Sequence, residues 1–93
     1  MKSDRLISIL KDNDAILEGH FLLTSGKHSN YYIEKFRILE DPILLNDVCI
    51  SMSKPFSDKN IDIVLGAAIG GILLAGGVGR QLGAKHIFSE RVN

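Results

Sequence analysis

The stretch from Gly66 to Gly79, GAAIGGILLAGGVG, constrains the fold of this chain most strongly, because it holds six of the nine glycines in fourteen residues. Glycine lowers helix stability by about 1 kcal/mol relative to alanine, and it lets a backbone approach an anion or another backbone without a Cβ in the way. Three structures fit such a stretch: a loop that binds phosphate, a close-packed membrane helix, or a glycine turn that only packs a helix on a sheet.

The membrane alternative depends on residues 63–79, a run of seventeen uncharged residues between Asp62 and Arg80. That length is at the lower limit for a membrane span, about 17–25 residues, and Gly66 and Gly70 have the spacing at which membrane helices pair. Six of the seventeen residues are glycine, however, and neither an aromatic belt nor clustered Lys and Arg flank the run. We therefore predict a protein that does not use a membrane.

Charge and cysteine content restrict the partners and the compartment. Eleven basic and eleven acidic side chains cancel, so no net field attracts nucleic acid. The single cysteine, Cys49, excludes an internal disulfide framework, suits a reducing cytoplasm and has apolar neighbours that favour a buried thiol. His20, His28 and His86 do not have the spacing of metal ligands, so no metal site made by the protein is predicted.

Apolar periodicity and punctuation predict an α/β fold. In the first part of the chain we expect an amphipathic helix over 3–17 and short strands at 21–24 and 31–36 around a polar turn. Asp41-Pro42 is typical of a helix start, with Asp as the N-cap and Pro at the first helical position, and this helix should end near Ser53.

A βαβ unit with parallel strands is predicted for the second part of the chain. Its elements are a strand at 61–65, a helix at 71–82 and a strand at 85–89, with Gly83 at the left-handed C′ position of the helix. The loop after the first strand of such a unit commonly binds ligands, because backbone N–H groups and the helix N-terminus converge there. Two nucleotide motifs are excluded: Ile72 and Leu73 replace the Lys and hydroxyl residue of a P-loop, and no Gly-x-Gly-x-x-Gly occurs.

Two long blocks of the sequence resemble a known family. GHFLLTSGKHSNYYIEKFRILEDP at 19–42 and IVLGAAIGGILLAGGVGRQLGAKHIFSERVN at 63–93 are similar, in order and spacing, to the first half of orotate phosphoribosyltransferase. The resemblance implies a type I phosphoribosyltransferase fold with a Rossmann-like parallel sheet. Residues 1–40 would form a helix and hairpin hood, and 41–93 the first α/β part of the core, within one incomplete domain.

The resemblance also implies a reaction. Family members transfer ribose 5-phosphate from phosphoribosyl diphosphate (PRPP) to orotate in pyrimidine (UMP) synthesis, releasing diphosphate, and Mg²⁺ enters bound to PRPP. They are cytoplasmic pentosyltransferases, and a homodimer is expected for the full-length enzyme. Because positive charge develops on the ribose as diphosphate leaves, such a site must hold the diphosphate and position the orotate anion.

Site residues follow from the resemblance position by position. Thr24, Ser25 and Lys27 match the segment that closes over substrate, and Tyr32 and Ile33 match a pair that packs on orotate. The diphosphate would contact Gly66, Ala68, Ile69, Gly70, Gly71 and Arg91. Many members carry lysine in place of Gly70, and most carry proline in place of Ala67. No catalytic residue is assigned, because the family's catalytic loop would lie beyond Asn93.

Departures from the family shape the remaining expectations. Members are roughly twice as long, so we expect a truncated chain that is inactive alone. Gly76, Gly77 and Gly79 replace larger helix formers, at an expected cost of about 2–3 kcal/mol in helix preference. Three alternatives stay open: a fragment of a purine-type phosphoribosyltransferase, a non-catalytic interaction module, and a small membrane protein that uses 63–79 as a span.

Overall fold

The fold joins an antiparallel ribbon to a βαβ unit, as described by a computed structural model for residues 3–92. The element order is α1 (Ser3–Asp12), β1 (Ile16–Leu22), β2 (His28–Ile33), α2 (Lys35–Leu39), α3 (Pro42–Ser53), a 3₁₀ turn (Lys54–Phe56), β3 (Ile63–Ala67), α4 (Gly70–Leu82) and β4 (Lys85–Ser89). Strands β1 and β2 pair antiparallel, and β3 and β4 pair parallel. The predicted α/β class and the parallel βαβ unit are confirmed.

The first helix ends earlier than its apolar pattern predicts. Asp14 has φ 59°, in the left-handed region, and the side chain of Asn13 donates to the carbonyl of Ile9 at 2.8 Å. These polar residues end α1 before residue 17, and the following apolar residues pair with β2 instead. The prediction of a helix over 3–17 is therefore wrong at its C-terminal end, and Leu17 and Gly19 lie in β1.

A short helix was not predicted between the ribbon and α3. The expected strand at 31–36 ends at Ile33, and Lys35–Leu39 form α2, whose N-cap residue Glu34 makes no side-chain capping bond. The backbone N–H of Glu34 instead donates to the carbonyl of the buried Ala15 at 2.8 Å. This bond continues the antiparallel pairing of the ribbon one residue beyond Ile33, directly before the short helix.

The helix α3 forms where Asp41-Pro42 predicts it. One carboxylate oxygen of Asp41 accepts from the backbone N–H groups of Ile43 and Leu44, both at 3.0 Å, and Pro42 occupies the first turn. Leu44, Val48 and Cys49 of α3 are buried, as are Ala75 and Val78 of α4, and the two helices pack against each other. As predicted, Cys49 is a buried thiol; burial raises its pKa, and the charge of Arg80 opposes only part of that rise.

Removing the cap of α3 should lower stability measurably. For Asp41→Ala we expect a loss of about 1 kcal/mol in the free energy of unfolding, because two backbone N–H groups lose their acceptor. Urea denaturation followed by circular dichroism measures this loss. Asp41→Asn is the matched control, since its side-chain oxygen can still accept; an equal loss in both variants would contradict the capping role.

The small sheet is covered on one face only within the described residues. Helix α4 packs on β3 and β4, while Ile63, Leu65 and Ile87 on the opposite face are 50–62% exposed. The apolar run at 63–65 is typical of a strand buried on both faces. Within residues 3–92 only the face toward α4 is covered, so the expected burial of the second face is not observed. Among those residues no helix is long and apolar enough to cross a membrane, and 63–79 is divided between a strand, a turn and a helix.

Candidate functional site

The loop between β3 and α4 is built around a close crossing of two glycines. A Cβ on Gly66 would overlap the carbonyl oxygen of Gly71 and lie 2.8 Å from the Cβ of Ala75. A Cβ on Gly71 would lie 3.2 Å from the carbonyl carbon of Gly66. The crossing therefore has no room for a side chain at Gly66 and only tight room for one at Gly71.

Backbone N–H groups at the start of α4 are available to a ligand. The first N–H groups of a helix have no acceptor within it. The N-cap residue of α4 is Ile69, and no side chain makes a capping hydrogen bond to the N–H groups of this helix. The N–H of Ala68 donates to the carbonyl of Ser89 at 2.8 Å, which fixes the loop to the end of β4. Ile69 is 85% exposed, and the peptide that precedes it is cis. The loop thus presents the positive end of a helix dipole to an open surface.

An apolar cleft lies between this loop and α2. It encloses about 830 Å³, within the size range of small-molecule sites. Phe36 and Leu39 of α2 form one wall, and Ala68, Ile69 and Gly70 form the other. Lys35 and Glu40 are the charged residues of the lining. A ligand held by the helix N-terminus would therefore have an apolar surface beside it, with one cation and one carboxylate in the lining.

The structure brings only some of the expected site residues together. Gly66, Ala68, Ile69, Gly70 and Gly71 form the loop itself. In the parallel register Ala67 pairs with Ser89. Arg91, two residues beyond β4, therefore follows the strand end at the same edge of the sheet, with its side chain exposed.

Thr24, Ser25 and Lys27 lie at the tip of the β1–β2 ribbon. The turn is closed by hydrogen bonds between Leu23 and Lys27 (2.8 Å) and between Gly26 and Leu23 (2.9 Å). All three expected site residues in it are exposed. Among residues 3–92, no hydrogen bond or ion pair joins this turn to the loop at 66–71.

Tyr32 and Ile33 end β2 and are exposed, directly before α2. The ring of Tyr32 packs against Phe21 across the ribbon, with centroids 5.7 Å apart. The chain then carries this segment into α2 and so to the cleft. The sequence interpretation missed the part of the lining that α2 supplies, which includes Lys35 and Phe36, because it extended β2 to Phe36. The apolar pair Phe36 and Leu39, at i,i+3 spacing, was the available helix signal.

Comparison with known proteins identifies relatives over the whole chain. The orotate phosphoribosyltransferase of Chlorobium phaeobacteroides is 46% identical over 93 residues, which cover all of this chain and 48% of that protein. The one from Caldicellulosiruptor bescii is 43% identical over 91 residues, covering 98% of this chain and 48% of that protein. This chain is homologous to the N-terminal half of orotate phosphoribosyltransferases. The resemblance predicted from the two sequence blocks is confirmed.

Solved structures agree with the sequence relatives. Orotate phosphoribosyltransferase from Aeropyrum pernix superposes with a TM-score of 0.74 at 26% identity, over 95% of this chain and 51% of that one. The UMP synthase of Leishmania donovani gives a TM-score of 0.84 at 24% identity, over all of this chain and 21% of that one, which supports the fold. No protein-family model matches the chain. The chain spans about half the length of the curated orotate phosphoribosyltransferases it matches.

Proposed function

We propose that this chain forms the diphosphate-binding half of an orotate phosphoribosyltransferase. The observation that carries the proposal is the uncapped α4 N-terminus behind the Gly66–Gly71 crossing, in a chain with 46% identity to a protein of that name. The loop would receive the diphosphate of PRPP, with Arg91 approaching from the end of β4. The partial positive charge of α4 would stabilise the diphosphate as it leaves the ribose.

Orotate would bind against the segment that ends β2. Tyr32 and Ile33 would supply an apolar surface for its ring, and Thr24, Ser25 and Lys27 would close over it from the ribbon tip. That closure requires the ribbon to move toward the loop, because residues 3–92 show no hydrogen bond or ion pair between the two. The cleft beside Lys35 and Phe36 provides room for a planar anion.

Mg²⁺ fits this site as a companion of the substrate. No group of three or more His, Cys, Asp or Glu side chains within the described residues could hold a metal ion. Mg²⁺ prefers phosphate oxygens and water to a protein cage, so the diphosphate of PRPP would hold it. When bound, it would neutralise the charge that develops on the leaving group.

The same proposal extends to the domain organisation, the substrates and the oligomeric state of the protein. Residues 1–40 would act as a hood and 41–93 as the first part of the core. Orotate and PRPP would be the substrates, in a cytoplasmic homodimer with no role in binding nucleic acid or membranes. Since relatives are about twice as long, we expect the 93-residue chain to bind PRPP weakly and not to turn it over alone; orotate consumption dependent on PRPP and Mg²⁺ would contradict that expectation.

Two substitutions of opposite charge at Gly70 test the diphosphate site without disturbing the fold. A Cβ there would meet only the tip of Leu39, at 3.3 Å. We expect Gly70→Lys to strengthen binding of PRPP with Mg²⁺ several-fold, and Gly70→Asp to weaken it about fivefold, since one nearby charge contributes about 1 kcal/mol. Isothermal titration calorimetry measures both.

The aspartate variant separates binding from stability. An acidic residue in the first turn favours a helix, so Gly70→Asp should unfold at the same or higher urea concentration than the parent chain while losing PRPP affinity. Equal affinity in the two Gly70 variants would overturn the proposed site.

A further inference from the structure

Two histidine side chains meet on the surface of the β1–β2 ribbon. Nε2 of His20 lies 2.7 Å from Nδ1 of His28, and the ring centroids are 4.8 Å apart with the planes inclined by 45°. Both residues are exposed. Neither is among the expected substrate-binding residues, so the pair is a feature that the proposed function leaves unused.

A bulge in β1 brings the pair together. Leu22 pairs with His28 and Phe21 with Ser29, but the register shifts between Glu18 and Phe21. His20 therefore sits in the irregular part of β1, on the diagonal from His28, within reach of an aromatic side chain. The two histidines are eight positions apart in sequence, a spacing that gives no sign of a site.

We propose that His20 and His28 form a two-imidazole site for a late first-row divalent cation, such as Cu²⁺ or Ni²⁺. Imidazole nitrogens bind such ions at about 2.0–2.1 Å, so two of them at right angles around one ion lie roughly 2.9 Å apart. The observed separation of 2.7 Å is close to that distance. The N···N distance needs to lengthen by only a few tenths of an ångström, and both exposed rings must rotate so that their lone pairs converge on one ion beside the pair.

The hydrogen-bonded pair can become a metal site without an external reactant. In the hydrogen-bonded pair one imidazole donates its N–H and the other accepts. For both nitrogens to face the cation, the donor ring changes tautomer and carries its proton to its opposite nitrogen. Each nitrogen then gives one lone pair to the ion. Within residues 3–92 no third His, Cys, Asp or Glu completes the set, so water fills the other positions.

The identity of the cation follows from ligand chemistry. Copper and nickel favour nitrogen ligands at right angles, zinc favours a wider tetrahedral angle, and magnesium selects oxygen. Lys27, next to His28 and exposed, adds a positive charge that further disfavours weakly held ions. We therefore expect affinity to fall in the order Cu²⁺, Ni²⁺, Zn²⁺, with no binding of Mg²⁺ at this pair.

The test titrates the untagged 93-residue chain separately with CuCl₂, NiCl₂, ZnCl₂ and MgCl₂ by calorimetry. We expect one Cu²⁺ per chain, and at least tenfold weaker binding in both His20→Gln and His28→Gln. His86→Gln is the matched control, because His86 is the third histidine and lies in β4; its Cu²⁺ affinity should equal that of the parent chain. Circular dichroism checks that each variant keeps its fold.

A second readout does not depend on any variant. Substoichiometric Cu²⁺ should broaden the backbone amide signals of residues around 20 and 28 in the ¹H–¹⁵N spectrum of the parent chain, while signals of 66–71 persist. Broadening centred elsewhere, full Cu²⁺ affinity in either ribbon variant, or no Cu²⁺ binding would each overturn the proposal. None of these outcomes depends on PRPP, so the proposed function is tested separately.

Discussion

Gly66→Ala is expected to lower the free energy of unfolding by more than about 3 kcal/mol and to abolish PRPP binding. The added Cβ would overlap the carbonyl oxygen of Gly71 and lie 2.8 Å from the Cβ of Ala75. Both obstacles belong to α4, one of them to its backbone, so no side-chain rotation relieves the overlap. Overpacking in a tight core costs typically 1–3 kcal/mol and sometimes more, and this crossing has less room than an ordinary core site. A domain with about 5–15 kcal/mol of stability would lose much of it.

Gly70→Ala is the matched control for that experiment. It adds the same methyl group four residues later, where the Cβ would meet only a methyl carbon of Leu39 at 3.3 Å. We expect its urea midpoint to change little, because the side chain of Leu39 can move. If both variants unfolded at the same midpoint, the close strand–helix crossing would not be the reason that Gly66 lacks a side chain.

The second half of the fold was predictable because its punctuation is local. Asp41 accepts the two N–H bonds expected of an N-cap, and Gly83 adopts φ 66° at the end of α4. Each of these residues acts on its own neighbours, so sequence alone locates them. The predicted helix at 71–82 and strand at 85–89 agree with Gly70–Leu82 and Lys85–Ser89 to within one residue.

The first half was less predictable because distant pairing decides it. Leu17 continues the apolar stripe of α1, but pairing with Tyr32 draws it into β1. Lys35 and Phe36 begin α2 directly after Glu34, whose N–H donates to the carbonyl of Ala15 on the other strand of the ribbon. An apolar stripe does not reveal which of two partners a residue takes, so the helix was drawn too long and α2 was missed.

The candidate site likewise has one part that the sequence predicts and one part that only the structure reveals. The loop at 66–71 could be predicted because a glycine-rich turn between a strand and a helix has a local signature. The family resemblance then predicted diphosphate as its ligand. The cleft beside Phe36 requires the position of α2, and the contact of His20 with His28 requires a hairpin register with a bulge. Neither the cleft nor the contact is encoded by residue spacing, so both needed the structure.

The glycines at 76, 77 and 79 carry a different meaning in the structure from the one that helix preference suggests. Helix α4 forms through all three, and residues 75–79 are its buried part. A Cβ on Gly77 would overlap Sγ of Cys49 and lie 3.0 Å from its Cβ. A Cβ on Gly76 would have only the far end of Arg80, at 3.4 Å, as its nearest neighbour. Equal helix preference therefore leads to opposite expectations at adjacent positions.

Gly77→Ala should lower the free energy of unfolding by about 1–3 kcal/mol, because α3 and α4 must separate to admit the methyl group. Gly76→Ala should raise it by up to about 1 kcal/mol, since alanine is the better helix former and the guanidinium of Arg80 can move aside. Urea denaturation of both variants measures the difference in sign. Two stabilised variants would mean that helix preference, and not the contact with α3, controls this part of α4.

Cys49→Ala identifies the atom responsible. Removing Sγ from the parent chain leaves a small cavity and should cost some stability. In the Gly77→Ala background the same change removes the overlap, so the double variant should be more stable than the sum of the two single effects by at least about 1 kcal/mol. Additive effects would show that α3 and α4 already separate without strain. A favourable coupling would show that the small residue of α4 and the buried thiol of α3 fit one another, and that this contact sets how closely the two helices pack behind the loop.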